Sequence, residues 1–145
     1  KHPQELQRLR QQPQHLATAV QEMFRYDSPL PFFHRYASED VVLMGQEFPK
    51  GTKFGLLYGS ANRDASQFTE PDRFDISRQP NQHIAFGRGA HLCLGNHLSR
   101  LDMEVIFSRL IERTRNIEMM GTEPKYKGGL SIRGLETLSL RFTAK

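Results

Sequence analysis

Phe86-Gly87-Arg88-Gly89-Ala90-His91-Leu92-Cys93-Leu94-Gly95 is the stretch around which the rest of the chain is read. Directly after it, Leu94, Leu98, Leu101, Val105, Ile106 and Leu110 recur at helical spacing with charges between them, which predicts a long helix over about Leu94 to Arg115. Cys93 therefore sits at the mouth of a helix, behind a loop containing Gly87 and Gly89. A helix N-terminus presents unpaired backbone N–H groups and a partial positive charge, a setting that favours a thiolate. Two glycines let the backbone approach a flat ligand closely and offer N–H donors to the sulfur. A thiolate held that way is a metal ligand or a nucleophile. A lone cysteine taken at random is more often buried and inert.

Cys93 is the one cysteine among 145 residues, so no intramolecular disulfide forms and a reducing, cytoplasmic setting is expected. The length is enough for one ordinary domain with a buried core. Twenty Lys and Arg against sixteen Asp and Glu give a net charge of +4, with 37% hydrophobic and 25% charged residues. That balance belongs neither to a membrane protein nor to a disordered tail. No apolar run approaches the roughly eighteen residues a spanning helix needs. Lys1 to Gln12 are polar, without the apolar core of a signal peptide. Fourteen of the cations are Arg, but they are scattered, without a basic arm, a Cys/His finger or a phosphate loop. Neither nucleic acid nor membrane is an expected partner.

Before the cysteine loop, the pattern is a helix pair, a small β element and a long coil. Leu6 and Leu9 mark a short helix, Pro13 suits a new helix start, and Leu16, Val20, Met23 and Phe24 carry that helix to about Tyr26. It must stop before Ser28-Pro29, because proline disfavours a helical residue before it. Phe32 to Tyr36, Val41 to Met44 and Thr52 to Tyr58 read as extended, with turn chemistry at Gly45 and at Pro49-Lys50-Gly51. Residues 59–85 look irregular, and so long a coil inside a compact domain wraps something functional or packs as ordered coil. After the long helix, about Lys127 to Thr143 reads as hairpins, with Leu138, Leu140 and Phe142 on one face. The expected class is α+β, mainly α with small sheets, in one unit over residues 1–145.

Phe-Gly-x-Gly-x-His-x-Cys-x-Gly, as it stands at Phe86 to Gly95, resembles the haem-binding signature of the cytochrome P-450 family. The resemblance implies haem b as cofactor, with Cys93 as the axial thiolate of its iron; that thiolate's electron donation favours O–O cleavage. It also implies cofactor contacts from Phe86, Gly87, Gly89, His91 and Gly95, with Phe86 against the ring and His91 at a propionate. Arg35, in His34-Arg35-Tyr36, matches an arginine that pairs with a propionate. Glu22-Met23-Phe24-Arg25 resembles the family's Glu-x-x-Arg, in a context (Arg25-Tyr26-Asp27-Ser28-Pro29) similar to soluble bacterial members. The same spacing at Glu5/Arg8, Glu70/Arg73 and Glu112/Arg115 reads as ordinary helix decoration. By resemblance, Arg73 completes a structural triad with Glu22 and Arg25. Pro29, Leu30, Phe32, Phe33, Leu130 and Ile132 would line a substrate pocket, and Arg88, Arg100 and Arg109 would face an acidic redox protein.

The function implied is a haem-thiolate monooxygenase that inserts one oxygen atom from O2 into a small apolar substrate, with electrons from a ferredoxin or flavoprotein. The likeness runs from about Pro3 to Phe142, as the C-terminal, haem-ligating part of that fold. The family's long distal helix with its Ala-Gly-x-x-Thr region has no counterpart here, and Lys1 to Gln12 looks like the tail of a helix belonging upstream. Activity of this part alone is not expected. The apolar face of the long helix is expected to lack partners. Other readings are a non-catalytic haem-binding or interaction remnant, a metal site from His91, Cys93 and His97, and a cysteine hydrolase. Three close ligands make a poor closed zinc site, and no His and Asn/Asp arrangement accompanies the thiol.

Overall fold

The computed structural model describes residues 1–121, 123–129 and 131–145. Two helices open the chain, α1 (Pro3–Gln11) and α2 (Leu16–Tyr26), joined by a 3-10 turn over Pro13–His15 that starts on its proline. Strands β1 (Phe33–Tyr36) and β4 (Lys53–Leu56) form one antiparallel ribbon, and β2 (Val41–Leu43) and β3 (Gln46–Phe48) form another nested between them. The turn between β2 and β3 is made at Met44 and Gly45, both at positive φ. A one-turn helix α3 (Tyr58–Ala61) leads into the coil, and α4 (Asn96–Arg113) follows the cysteine loop. The fold is thus mixed, helices with small antiparallel sheets. No described helix is long and apolar enough to cross a membrane.

The C-terminal expectation needs correcting. The helix ends at Arg113, and the chain turns directly into β5 (Thr114–Met119), which pairs antiparallel with β6 (Leu140–Ala144). The terminal strand therefore returns to the end of the long helix, while a local antiparallel pairing persists between the two strands: Tyr126 bridges Leu135, Lys127 N donates to Gly134 O at 2.8 Å and Glu136 N to Lys125 O at 2.9 Å. Thr114 is β-branched and Arg113 precedes it with no glycine to cap the helix, so the backbone passes straight from helical to extended. Arg10 satisfies the last carbonyls instead, donating to Ile111 O at 2.9 Å and to Thr114 O at 2.5 Å.

α2 is the hub of the core. One side packs Ala19 against Leu9 and Ile76, with Leu16, Met23, Phe74 and Ile111 around them. The other packs Val20 and Phe24 against Ala85, with Phe86 and Met103. α4 meets α2 through Met103 and Ile111, along a stripe that also carries buried Asn96 and Thr114. On its other side Leu98, Leu101, Val105 and Ile106, with Leu94 just before the helix, are all more than half exposed. The face read from the sequence as the apolar one is therefore the uncovered one; the helix is apolar on two sides.

The coil of residues 62–85 has no ladder of its own, so its backbone groups are satisfied partly by short turns and partly by side chains. Arg78 donates to the carbonyls of Thr69, Glu70 and Arg73 at 2.7–3.1 Å. Glu5 accepts from Ile76 N at 3.1 Å, while Arg8 reaches Asp75 at 3.0 Å and Ser77 Oγ at 2.7 Å. Glu5 and Arg8 therefore tie the coil to α1 and are more than surface decoration. Burial works against the Asp75 carboxylate, but hydrogen bonds from Ser77 and Arg8 prevail and hold its pKa down at about 2.

Candidate functional site

The cysteine loop is built by two left-handed glycines and a short turn. Gly87 and Gly89 have φ of +71° and +69°, which a residue with a Cβ adopts only under strain. A Cβ at Gly87 would also touch the His91 carbonyl and the Tyr58 hydroxyl, each at 3.6 Å. Gly95 has φ −81° and only ordinary contact to spare, its added Cβ meeting Cys93 Sγ at 3.9 Å, so it makes no conformational demand. The loop closes on itself where Cys93 N donates to Phe86 O at 2.9 Å. Asn96, the first residue of α4, then holds the Cys93 carbonyl through its backbone N–H at 3.2 Å and its side-chain amide at 2.6 Å. The half-buried thiol is left free.

A cleft of about 330 Å³ opens beside Cys93. Phe86, Gly87 and His91 border it from the loop, Pro29, Leu30, Phe33 and Arg35 from the segment after α2, and Phe24 and Tyr58 complete its wall. Strand alternation explains which β1 residues arrive there: Phe33 and Arg35 are two apart and share a face. Phe32 belongs to the opposite side, where its ring lies so close over Gly55 that an added Cβ would sit 2.9 Å from it. Phe32 is thus corrected from pocket residue to packing residue of the β1–β4 ribbon. Ile132 is 65% exposed and does not border the cleft, although its neighbour Arg133 donates to Pro29 O at 2.8 Å. Leu130, also expected at the pocket, lies outside the described residues. Gly89 and Gly95 shape the loop without lining the cleft.

The buried ion pair beneath the site is Glu22–Arg25. Both residues are 0% exposed, with Arg25 Nε and Nη2 donating to the two carboxylate oxygens at 2.7 and 2.8 Å. Arg73 is not the third member. Its side chain points outward to Glu70 at 3.1 Å, and only its backbone carbonyl accepts from Arg25, at 3.2 Å. Arg78 supplies the additional cation, its Nε 3.2 Å from Glu22 Oε1. Asn81 Nδ2 and the Asp75 amide complete the set on Glu22 at 3.1 and 3.0 Å. The cause lies in chain direction: the turn at Glu70–Arg73 sends the Arg73 side chain to solvent, and the next turn, at Asp75–Arg78, sends Arg78 inward.

Other residues escaped the sequence reading. Asn62, fully buried, donates to Ser28 Oγ at 2.9 Å and accepts from Ile84 N at 2.8 Å, pinning α3 and the end of α2 to the segment that enters the loop. Polar residues in a coil carry no periodic signal, so these had none to read. His83 bonds Gln21 at 3.0 Å; its pKa is depressed to about 4 by burial and by the nearby Arg100 guanidinium. Of the three surface arginines, Arg100 turns inward, its guanidinium 4.6 Å over the Phe86 ring; Arg109 pairs with Glu112 at 2.8 Å, and Arg88 is exposed.

The depressed His83 has a consequence for acid stability. The unfolded chain binds this proton near the ordinary value of 6.5, the folded chain only near 4. Stability is therefore full above about pH 6.5 and is lost as pH falls toward 4. Because the ring is only partly buried, solvent screening cuts the full linkage to about 1–2 kcal/mol. Urea midpoints at pH 7.5 and pH 4.5 should differ accordingly, and His83→Gln should flatten the difference.

No cluster of three or more His, Cys, Asp and Glu side chains exists among the described residues, so His91, Cys93 and His97 do not assemble as a metal site by themselves. What surrounds the thiol is a cleft with aromatic and aliphatic walls and one cation and one imidazole at its edge. That donor set suits a flat, mostly apolar group carrying a metal and carboxylates, which is the chemistry of a haem.

The family model for Cytochrome P450 matches residues 6–137. The biotin biosynthesis cytochrome P450 of Bacillus subtilis is 42% identical over 141 residues, covering 97% of this chain and 36% of the relative. Linalool 8-monooxygenase of Pseudomonas putida is 38% identical over 137 residues, covering 94% and 34%. Among solved structures, P450BioI in complex with an acyl carrier protein ligated to hexadec-9Z-enoic acid superposes with a TM-score of 0.93 at 42% identity, over 97% of this chain and 37% of that one. The chain spans about a third of the length of the curated relatives it matches.

Proposed function

Because the chain belongs to the cytochrome P450 family, we propose that it is the haem-ligating part of a monooxygenase, with Cys93 as the ligand of a haem b iron. The observation that carries this reading is the convergence of Cys93, Phe86, Gly87, His91 and Arg35 on one apolar-walled cleft. A haem bound there supplies the oxygen activation by which this family puts one atom of O2 into an organic substrate.

The work left to the chain's residues is binding and orientation. Cys93 presents its sulfur from a loop whose closure is backbone to backbone, so the ligand's position is set by the fold. Gly87, having no side chain, would let a flat cofactor approach that loop closely. Arg35 and His91 would answer the propionates of a haem with charge-assisted hydrogen bonds, and Phe86 gives the cleft an aromatic wall beside Cys93. Pro29, Leu30 and Phe33 offer an apolar wall, which supports a small apolar substrate. Two relatives agree in kind: one is named for linalool, and one was solved with a fatty acyl chain on its carrier protein. Electrons would come from a ferredoxin or flavoprotein in the cytoplasm, the exposed Arg88 being a cation of the loop itself.

Titrating the chain with haem, reducing it and adding carbon monoxide tests the proposal. The expected result is one haem per chain and a Soret band red-shifted in the manner of thiolate ligation. Absence of haem uptake overturns it and leaves the non-catalytic remnant. Turnover with a surrogate electron donor is expected to be negligible for this part alone.

A further inference from the structure

One carbonyl oxygen on α2 collects two side chains that hold opposite flanks of the cysteine loop. Gln21 Oε1 accepts from His83 at 3.0 Å and from Arg100 Nε at 3.1 Å. On the upstream flank, His83 Nδ1 accepts from the Ala85 amide at 3.3 Å, which makes its Nε2–H the donor to Gln21. The Phe86 ring lies 6.1 Å from the His83 ring and 4.6 Å from that of Phe24, with the Arg100 guanidinium over it at 4.6 Å. On the downstream flank, Arg100 Nη1 reaches the Asn96 carbonyl at 3.3 Å and its side-chain oxygen. Phe86 and Asn96 are the two residues that bond the Cys93 backbone, one accepting from its N–H and the other donating to its carbonyl.

We propose that Gln21, acting through His83 and Arg100, is a positioning residue that clamps both sides of the Cys93 loop to α2 and so fixes where the sulfur presents itself. The proposal deepens the haem-ligand reading and rests on it for its purpose, though not for its geometry. The clamp needs an acceptor at position 21, because both partners donate. It needs a planar fork at position 100, because the same group must stack on Phe86 and bond both Gln21 and Asn96. A neutral His83 is part of it, since only the neutral ring accepts from Ala85; Arg100, Arg25 and Glu22 are the charges that face it.

Three variants decide the matter: Gln21→Leu removes the acceptor, Gln21→Glu keeps an acceptor oxygen at that position, and Arg100→Lys keeps the charge without the fork. Amide hydrogen exchange at Cys93 and Asn96, with the rate of Cys93 alkylation by iodoacetamide, reads the loop in the haem-free chain. The β5–β6 ribbon serves as an internal reference. Gln21→Leu should speed exchange at Cys93 and Asn96 roughly tenfold, the equivalent of one lost hydrogen bond, leaving the ribbon amides unchanged. Gln21→Glu should restore wild-type rates, and Arg100→Lys should match Gln21→Leu. Loop amides that exchange at wild-type rates in Gln21→Leu, or a Gln21→Glu variant indistinguishable from it, overturn the proposal. If Gln21→Leu fails to fold, the Arg100→Lys rates decide alone, and wild-type rates there overturn it. Failure of the wild-type chain to take up haem would remove the haem-ligand reading, while the exchange rates would still decide the clamp.

Discussion

Arg25→Ala should unfold most of the chain. All five N–H donors of this guanidinium are used: two on Glu22, and the others on the carbonyls of Asn62, Pro71 and Arg73 at 2.8–3.2 Å. Its removal takes the two-pronged partner from a carboxylate with no solvent exposure, leaving Arg78 as its cation, and orphans the carbonyls of Asn62 and Pro71, while that of Arg73 keeps Arg78. Breaking a buried pair from one side costs about 3–5 kcal/mol, a large share of the roughly 5–15 kcal/mol that holds an ordinary domain together. Arg25→Lys should recover little, since an ammonium cannot span a carboxylate and three carbonyls. Arg73→Ala provides the contrast: among the described residues its exposed side chain pairs with Glu70 alone, and the expected change stays within about 0.5 kcal/mol. Urea denaturation followed by far-UV circular dichroism measures all three. Similar losses for Arg25 and Arg73 would contradict the arrangement around Glu22.

Cys93→Ser should separate chemistry from fold. The loop's closure uses the Cys93 backbone N–H and carbonyl, which serine keeps. The side chain is half-buried, and the swap changes its volume little, so the unfolding midpoint should move by less than about 1 kcal/mol. The ligand, in contrast, is lost, because a serine hydroxyl is a far poorer ligand for iron than a cysteine sulfur. The reduced, carbon monoxide-treated protein should lose the red-shifted band completely, and haem should wash out on gel filtration. A Cys93→His variant would keep a nitrogen ligand, and its band should lie where imidazole-ligated haems absorb. A thiolate-type band surviving in Cys93→Ser would remove Cys93 from the iron.

The contrast between these predictions follows what the sequence makes visible. Cys93, Gly87 and Gly89 stand at fixed spacing in one contiguous stretch, and their local geometry follows from the chain's chemistry: two positive-φ glycines, then a helix start. Leu9, Val20 and Phe24 were legible because a helix repeats. Arg78 was not, since a coil has no period and nothing local says which of two arginines five positions apart turns inward. β5 was hidden because Thr114 to Met119 continues the polarity of the helix before it, and its partner β6 lies over twenty residues downstream. The uncovered apolar side of α4 was legible because a helix repeats, whereas its second side, which meets α2 through Met103 and Ile111, was not singled out. Gln21, Asn62 and His83 act through contacts 22 to 79 positions away, which no local window contains.

The way the coil is held has a consequence for the order of assembly. Its ties run to Glu5, Arg8, Glu22 and Arg25, between 37 and 71 positions back along the chain. Contacts of that separation are rewarded only after the loop-closure entropy has been spent. The two N-terminal helices form from local contacts and must dock before the coil has anything to attach to. The cysteine loop, hung between that coil and α4, becomes ordered last. In refolding experiments, protection of the Cys93 amide should therefore lag behind that of α2, and the thiol should stay open to oxidation until the final step.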